Sequence, residues 1–185
     1  MIETLDPSKF KFKDYVWSFR KRLLAEFLAD SDINTWKSFV EVSNDLGWEV
    51  ENQGPTWRIA PSKNMTYRLY PDNIVRYPVA WEMVSHFGDD CPGAGYSALK
   101  PQSVIKEHID KDNYYLDSAY LRIQIPLIIP KGDVGISVNG VKHDWSTDDI
   151  FIFNNAVKHH AWNNTDELRL IYLFDLPATN KYFDI

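Results

Sequence analysis

The feature that most constrains the fold is a change of hydrophobic period near Trp57. Beyond it, apolar and polar residues alternate in short runs separated by Pro, Gly and Asn, which is the pattern of strands buried on one face. Many short strands of this kind predict a sandwich or barrel. Asn139-Gly140 predicts a hairpin turn between two of them. Residues 78–87 are ambiguous and could form a short helix. The predicted strands are residues 67–70, 74–77, 96–99, 104–109, 120–129, 134–138, 150–153, 159–162 and 168–176.

The first part of the chain has helical periodicity instead. A second short helix begins near Trp36 and is predicted to end at Gly47. Helices that precede the strands fit an arrangement outside one sheet rather than a βαβ fold. The length of 185 residues suits a single domain over 1–185, with a helical part at 1–55 and a β core at 56–185. The first predicted helix rests on apolar residues at helical spacing, namely Tyr15, Val16, Phe19, Leu23, Phe27 and Leu28.

Charge and composition argue against several functional classes. The formal net charge is -6 and no basic cluster stands out, so we expect no nucleic-acid partner. A single cysteine, Cys91, excludes an intramolecular disulfide and a multi-cysteine metal site. The longest apolar stretch, at residues 123–129, is too short to cross a bilayer, and the first ten residues lack a signal-peptide core. We therefore expect a soluble, cytoplasmic protein with no membrane partner.

Two histidine-containing segments could hold a metal ion. Residues two apart in a strand face the same side, so His108 and Asp110 are expected to project together. An imidazole and a carboxylate are two of the ligands in a 2-His-1-carboxylate iron site. His159 or His160 could supply the third, since only one of two adjacent strand residues faces the interior. The alternatives are a surface His beside a solvated Asp, and an edge strand with two exposed His.

An arginine lies inside an otherwise apolar predicted strand. Arg169 is costly to bury unless it meets an anion, and its planar fork matches a carboxylate. It therefore either binds an anionic ligand or pairs with a structural carboxylate such as Asp175. In the strand at 120–129, alternation places Arg122 and Gln124 on the face opposite the apolar residues. That face lines either a ligand cavity or solvent.

Taken in order, these features resemble the aspartyl/asparaginyl β-hydroxylase family of 2-oxoglutarate oxygenases. The order is a His-x-Asp triplet, about fifty residues to a His, and ten more to an Arg. The resemblance covers residues 96–177. The matching blocks are residues 97–101, 108–110, 121–123, 150–155, 159–163 and 168–171.

The resemblance implies a mainly β fold, a double-stranded β-helix or jelly-roll, cupin-like barrel, with N-terminal helices packed outside. It implies that His108, Asp110 and His159 bind Fe(II), because the family's ligand is the His three residues before a Trp. Animal peptide hydroxylases of the family have Gly where this chain has Asp110. A complete triad is typical of the family's free-amino-acid hydroxylases.

The resemblance also implies a cosubstrate site. Arg169 would bind the distal carboxylate of 2-oxoglutarate, with Ser97 and Arg122 assisting. Gln124 replaces a His of the family, and its amide can still donate a hydrogen bond.

The implied function is an Fe(II)- and 2-oxoglutarate-dependent dioxygenase, with O2 as a further cosubstrate, that hydroxylates a C–H bond of an amino-acid side chain. An Asp or Asn in a peptide or protein is the expected substrate, and a free amino acid or another small acid is the alternative. Two competing interpretations are a cupin-type Zn or Mn enzyme and a β-barrel binding protein without catalysis. Oxygen-dependent succinate production distinguishes the oxygenase from both.

Overall fold

The computed structural model describes residues 2–45, 56–63, 68–110, 120–145 and 147–185. Three residues at predicted element ends lie outside the described residues. They are Leu46 and Gly47 of the second helix and Tyr67 of a strand.

Eleven strands of the described chain form two antiparallel sheets. They are β1 (Thr4–Leu5), β2 (Lys37–Ser38), β3 (Trp57–Lys63), β4 (Ala94–Leu99), β5 (Ser103–His108), β6 (Tyr120–Ile128), β7 (Val134–Val138), β8 (Val141–His143), β9 (Phe151–Asn154), β10 (His159–Asn163) and β11 (Arg169–Pro177). The large sheet has the order β1-β9-β6-β11-β4-β3-β2, and the small sheet has the order β5-β10-β7-β8. The turn at Asn139-Gly140 joins β7 to β8 with positive φ at both residues, so the predicted hairpin is confirmed.

Two hydrophobic cores result from the alternation along the strands. One lies between the sheets and includes Trp57 and Leu99 of the large sheet with Ile105 and Ile136 of the small one. The other covers the outer face of the large sheet, where helices pack on it. Alternation along β6 places its apolar residues Leu121, Ile123, Ile125 and Leu127 in the outer core.

The helices lie mainly in the first half of the described chain. They are α1 (Lys13–Ser18), α2 (Arg20–Ala29), α3 (Phe39–Asp45), α4 (Pro71–Arg76) and α5 (Pro78–Ser85). The first predicted helix is confirmed as α1 and α2, which bury Val16, Leu23 and Phe27 in the outer core, whereas Leu28 is exposed. No helix of the described chain is both long and apolar enough to cross a membrane.

Two strand predictions are wrong. In the predicted strand at residues 67–70, the described residues 68–70 form only an isolated bridge, between Leu69 and Lys63. Residues 74–77 were expected to form a strand, but the structure places residues 71–76 in α4 and begins α5 at Pro78. Proline at the first position of a helix fits its fixed φ and missing N–H, so Pro71 and Pro78 each favour a helix start. The pattern also missed the short strands β1, β2 and β8 and did not delimit β3.

The architecture is therefore mainly β, with two facing antiparallel sheets and helices on the outer face of the larger one. This is the double-stranded β-helix, as predicted. The small sheet closes the interior on the side away from the helices. Polar residues that face this interior are the candidates for a functional site.

Candidate metal centre

Three side chains that could hold a metal ion meet between the sheets. The Nε2 atom of His108 lies 3.3 Å from Oδ1 of Asp110, and that of His159 lies 3.8 Å from the same oxygen. The two imidazole centroids are 4.2 Å apart. The ligand atoms of all three residues lie within 4.8 Å of one another. The structure thus brings together the three residues that the sequence predicts as ligands.

A β-bulge in β5 turns His108 towards the interior. His108 pairs with His159, while Ile105 pairs with Ala161, so three steps on β5 oppose two on β10. Strict alternation would put Ile105 and His108 on opposite faces, but the extra residue brings both to the inner face. Asp110 follows the end of the strand, so its position comes from the chain after β5 rather than from the pleat.

Each imidazole has one nitrogen fixed by the backbone. Nδ1 of His108 lies 2.7 Å from the carbonyl oxygen of Lys106, and Nδ1 of His159 lies 2.9 Å from that of Val157. A hydrogen bond from Nδ1 to a carbonyl selects the tautomer whose Nε2 lone pair is available to a metal. Both Nε2 atoms face the Asp110 carboxylate, so the donor set fits a divalent metal ion.

His160, the other candidate in the His pair, faces away from this centre. Its ring packs near that of Trp162, with centroids 5.6 Å apart. His159 is 5% exposed and packs against Phe153 of the interior. Adjacent residues of β10 therefore point to opposite sides, as the alternation requires.

Burial and the mutual contacts shift the titration of all three groups. Burial lowers the pKa of His159 to about 4. Burial also acts to lower the pKa of His108, but the hydrogen bond and charge of Asp110 outweigh it and raise that pKa. Burial acts to raise the pKa of Asp110, but the Arg122 guanidinium and the hydrogen bond from His108 hold it well below its usual range. Asp110 is therefore ionised and His159 neutral at pH 7.

Metal affinity is expected to fall as the pH decreases through the raised pKa of His108. A proton and a metal ion compete for the same Nε2 lone pair, and below that pKa one competing proton weakens binding about tenfold per pH unit. His159, with a pKa of about 4, adds no competition near neutral pH. Titration with Co(II) between pH 5.5 and 8 measures this slope, and an affinity that does not change with pH would contradict the arrangement.

Arg122 and Asp175 form a buried ion pair next to Asp110. Nε and one terminal nitrogen of Arg122 each lie 2.9 Å from a carboxylate oxygen of Asp175, and the other terminal nitrogen lies 2.6 Å from Oδ2 of Asp110. Asp175 is fully buried, and its side chain is also 3.5 Å from Nδ2 of Asn155. Burial raises the pKa of Asp175, although Arg122 opposes that shift.

Arg169 is a buried cation at the far end of β11. It is 1% exposed, and no Asp or Glu of the described residues forms an ion pair with it. Its Nε atom has no hydrogen-bond partner, and one terminal nitrogen donates to the carbonyl oxygen of Ser97 at 3.1 Å. Burial lowers its pKa to about 9, so it remains a cation at neutral pH. Asp175, the alternative partner that the sequence offers, pairs with Arg122 instead.

Two tryptophans help to organise the polar interior. Nε1 of Trp57 donates to Oγ of Ser97 at 2.9 Å, and that oxygen is also 3.4 Å from Arg169. Nε1 of Trp145 donates to Oε1 of Gln124 at 2.7 Å. The Arg169 guanidinium lies 4.8 Å from the centroid of the Trp145 ring. Ser97, Gln124 and Arg169 are thus connected through aromatic side chains.

Sequence reasoning did not identify Trp57, Trp145 or Asn155 as residues of this region. Alternation along β11 places Asp175 on the same inward face as Arg169, so the sequence indicates that Asp175 belongs to the interior. Its partner there is Arg122. Trp145 lies outside any strand, so no periodicity indicates that its ring turns inward.

Comparison with known proteins finds a family profile that matches most of the chain. The profile of the aspartyl/asparaginyl beta-hydroxylase family matches residues 20–179. That range includes every residue of the candidate centre.

A curated relative and distant solved structures are also similar to parts of the chain. An ornithine lipid ester-linked acyl 2-hydroxylase from Rhizobium tropici is 29% identical over 115 residues, which are 59% of this chain and 37% of that protein. The match thus spans little more than a third of that relative. An oxidoreductase of the 2OG-Fe(II) oxygenase family from Burkholderia pseudomallei is 11% identical, with 67% of this chain and 68% of that chain covered and a TM-score of 0.48. KdgF from Halomonas sp. is 13% identical, with 74% and 93% covered and a TM-score of 0.40.

Proposed function

This chain belongs to the aspartyl/asparaginyl β-hydroxylase family, and from that premise we propose that it is an Fe(II)- and 2-oxoglutarate-dependent dioxygenase that hydroxylates a C–H bond. The observation that carries the proposal is the pairing of a His-Asp-His cluster with a buried arginine that has no carboxylate partner among the described residues. The His-Asp-His cluster fits a metal ion, and the buried arginine fits an anion.

His108, Asp110 and His159 would hold the metal. Two neutral imidazoles and one carboxylate are the donor set of non-haem Fe(II) oxygenases. When bound, Fe(II) supplies the activation of O2 and the oxidation of 2-oxoglutarate that C–H hydroxylation needs. The three residues fix the ion from one side, and together they leave it a formal charge of +1, which favours an anionic chelator.

Arg169 would bind the distal carboxylate of that chelator. A guanidinium without an acidic partner has the charge and the planar fork that a carboxylate needs, and its unpaired Nε can donate a hydrogen bond. The Ser97 hydroxyl lies beside it. The side-chain oxygen of Gln124 accepts a hydrogen bond from Trp145, so its amide N–H groups remain available as donors.

Arg122 is the fourth residue that the resemblance assigns to the cosubstrate. Its guanidinium already contacts Asp110 and Asp175, so a contact with the chelating end of 2-oxoglutarate would be made beside the metal rather than at the distal carboxylate. The cosubstrate role of Ser97, Arg122, Gln124 and Arg169 stays a prediction.

The proposed substrate is an amino-acid side chain, with an Asp or Asn of a peptide or protein first and a free amino acid or small acid as the alternative. The family description supports the first, and the complete triad with Asp110 favours the second. A lipid acyl chain is a further candidate, because the curated relative is an acyl 2-hydroxylase.

Succinate release tests the proposal. Metal-free protein is reconstituted with Fe(II) under argon, and O2 and 2-oxoglutarate are then added with Asp- and Asn-containing peptides, free amino acids or ornithine lipid. We expect succinate formation that requires both Fe(II) and O2 and that increases with one substrate class. Substrate turnover with Zn(II) in the absence of O2 would favour the cupin-type alternative, and no turnover with any metal would favour a binding protein.

A further inference from the structure

We propose that Arg122 and Asp175 act as a positioning pair that holds the metal ligand Asp110 in a one-oxygen binding geometry. The inference rests on the proposed function, since it assumes that Asp110 binds the metal. It assigns a role to two buried charges of the large sheet that metal coordination alone does not require.

The first step is that the two carboxylate oxygens of Asp110 have different partners. Oδ2 lies 2.6 Å from a terminal nitrogen of Arg122, a distance typical of a charge-assisted hydrogen bond. Oδ1 is the oxygen that faces both imidazoles, at 3.3 Å from His108 and 3.8 Å from His159. With Oδ2 held by Arg122, only Oδ1 is directed to the place where a metal would be bound.

The second step is the anchoring of Arg122 itself. Asp175 accepts from Nε and one terminal nitrogen in a two-point contact, both at 2.9 Å, which fixes the plane of the guanidinium. The two residues are direct partners on neighbouring strands β6 and β11. Because this contact fixes the guanidinium of Arg122, its remaining terminal nitrogen is held in position to donate to Asp110.

The third step is a link through the backbone. The Asp110 N–H donates to the carbonyl oxygen of Asn155 at 3.1 Å, and the Asn155 side chain reaches Asp175 at 3.5 Å. Asp110 follows β5 of the small sheet, whereas Arg122 and Asp175 belong to the large sheet. The ligand is thus held at its backbone and at its carboxylate.

The consequence is chemical. A carboxylate that binds a metal through both oxygens uses two coordination positions, whereas one held as described uses one. If each of the three protein residues supplied a single donor atom, a bound divalent ion would keep open positions for a two-point chelator and O2. Removing the pair is expected to let Asp110 rotate, which changes both the affinity and the coordination of the ion.

The test replaces the pair without changing the net charge near the metal. In the double variant Arg122→Met/Asp175→Leu one cation and one anion disappear together, and a buried ion pair can be replaced by apolar side chains without loss of folding. The matched control is Arg76→Met/Asp30→Leu, which removes another two-point Arg–Asp pair on the exposed surface. Arg122→Lys is a second variant that keeps the charge but cannot contact both carboxylates in the same way.

The readouts are the Kd for Co(II), measured against a chelating dye, and the visible absorption of the bound Co(II), which reports its coordination. We expect the double variant to bind Co(II) about 10- to 100-fold more weakly, with an altered spectrum, and Arg122→Lys to bind it about tenfold more weakly. The control should match the native protein in both.

The outcomes separate this inference from the proposed function. Native affinity and spectrum in the double variant would overturn the positioning role alone, and if that variant does not fold, native values in Arg122→Lys would do the same. A native protein that binds neither Fe(II) nor Co(II) would overturn the proposed function and the positioning role with it.

Discussion

His159→Ala is expected to abolish tight metal binding and, with it, hydroxylation. The variant removes one of three donors whose atoms lie within 4.8 Å of one another, and no other side chain of the described residues completes the group. Loss of an outer-shell partner typically costs 10- to 100-fold in metal affinity, so loss of a direct ligand should cost more than about 100-fold. Metal analysis of the purified protein and titration with Co(II) measure the effect.

The neighbouring histidine provides the control. His160→Ala makes the same change one residue away, on the opposite side of β10, and should bind metal like the native protein. Thermal unfolding without metal checks that both variants fold. Equal metal affinity in His159→Ala and native protein would remove His159 from the centre, and a loss confined to His160→Ala would mean that the other imidazole is the ligand.

Arg169→Met is expected to lose 2-oxoglutarate while keeping the metal. Removing one partner of a buried charged hydrogen bond costs on the order of 2–5 kcal/mol, or about 30- to 5000-fold in affinity. The free energy of unfolding should not fall by a comparable amount. Arg169 is buried with an unpaired Nε and no acidic partner among the described residues, so an apolar side chain of similar length should be neutral or stabilising.

The absorbance of the ferrous protein with 2-oxoglutarate, measured without O2, reports cosubstrate binding, and thermal unfolding reports stability. Arg169→Lys is the matched variant, because it keeps the charge and loses the fork, and we expect it to bind 2-oxoglutarate with intermediate affinity. Native 2-oxoglutarate affinity in Arg169→Met would remove the anchor role. A large loss of stability would instead show that the guanidinium supports the fold.

Local patterns predicted most of the β structure. Alternation located β4, β6, β7 and β11 to within about two residues, since each buries one face in a core. It failed at residues 74–77, where the prolines at positions 71 and 78 outweigh the β-branched residues between them. Two-residue strands such as β1 and β2 are too short for any periodicity, and they form because a neighbouring strand offers hydrogen bonds.

For the candidate site, the sequence likewise predicted some features and not others. The sequence order of His108, Asp110 and His159 indicated which residues would meet. It could not indicate that Arg122 rather than Arg169 pairs with Asp175, because that choice depends on where two strands place their charged residues along the sheet. Contacts that join distant segments, such as the one between Trp145 and Gln124, leave no trace in any local pattern.

The irregular pairing in β5 has a practical consequence for anyone who transplants this centre into another barrel. Counting inward and outward residues from Ile105 assigns the interior to Glu107 and the surface to His108, and the additional residue reverses that assignment. Copying the ligand side chains onto a regular strand would therefore direct the imidazole to solvent. A transplanted segment must keep the additional residue between positions 105 and 108 as well as the ligand side chains, because that residue determines which face the His108 imidazole occupies.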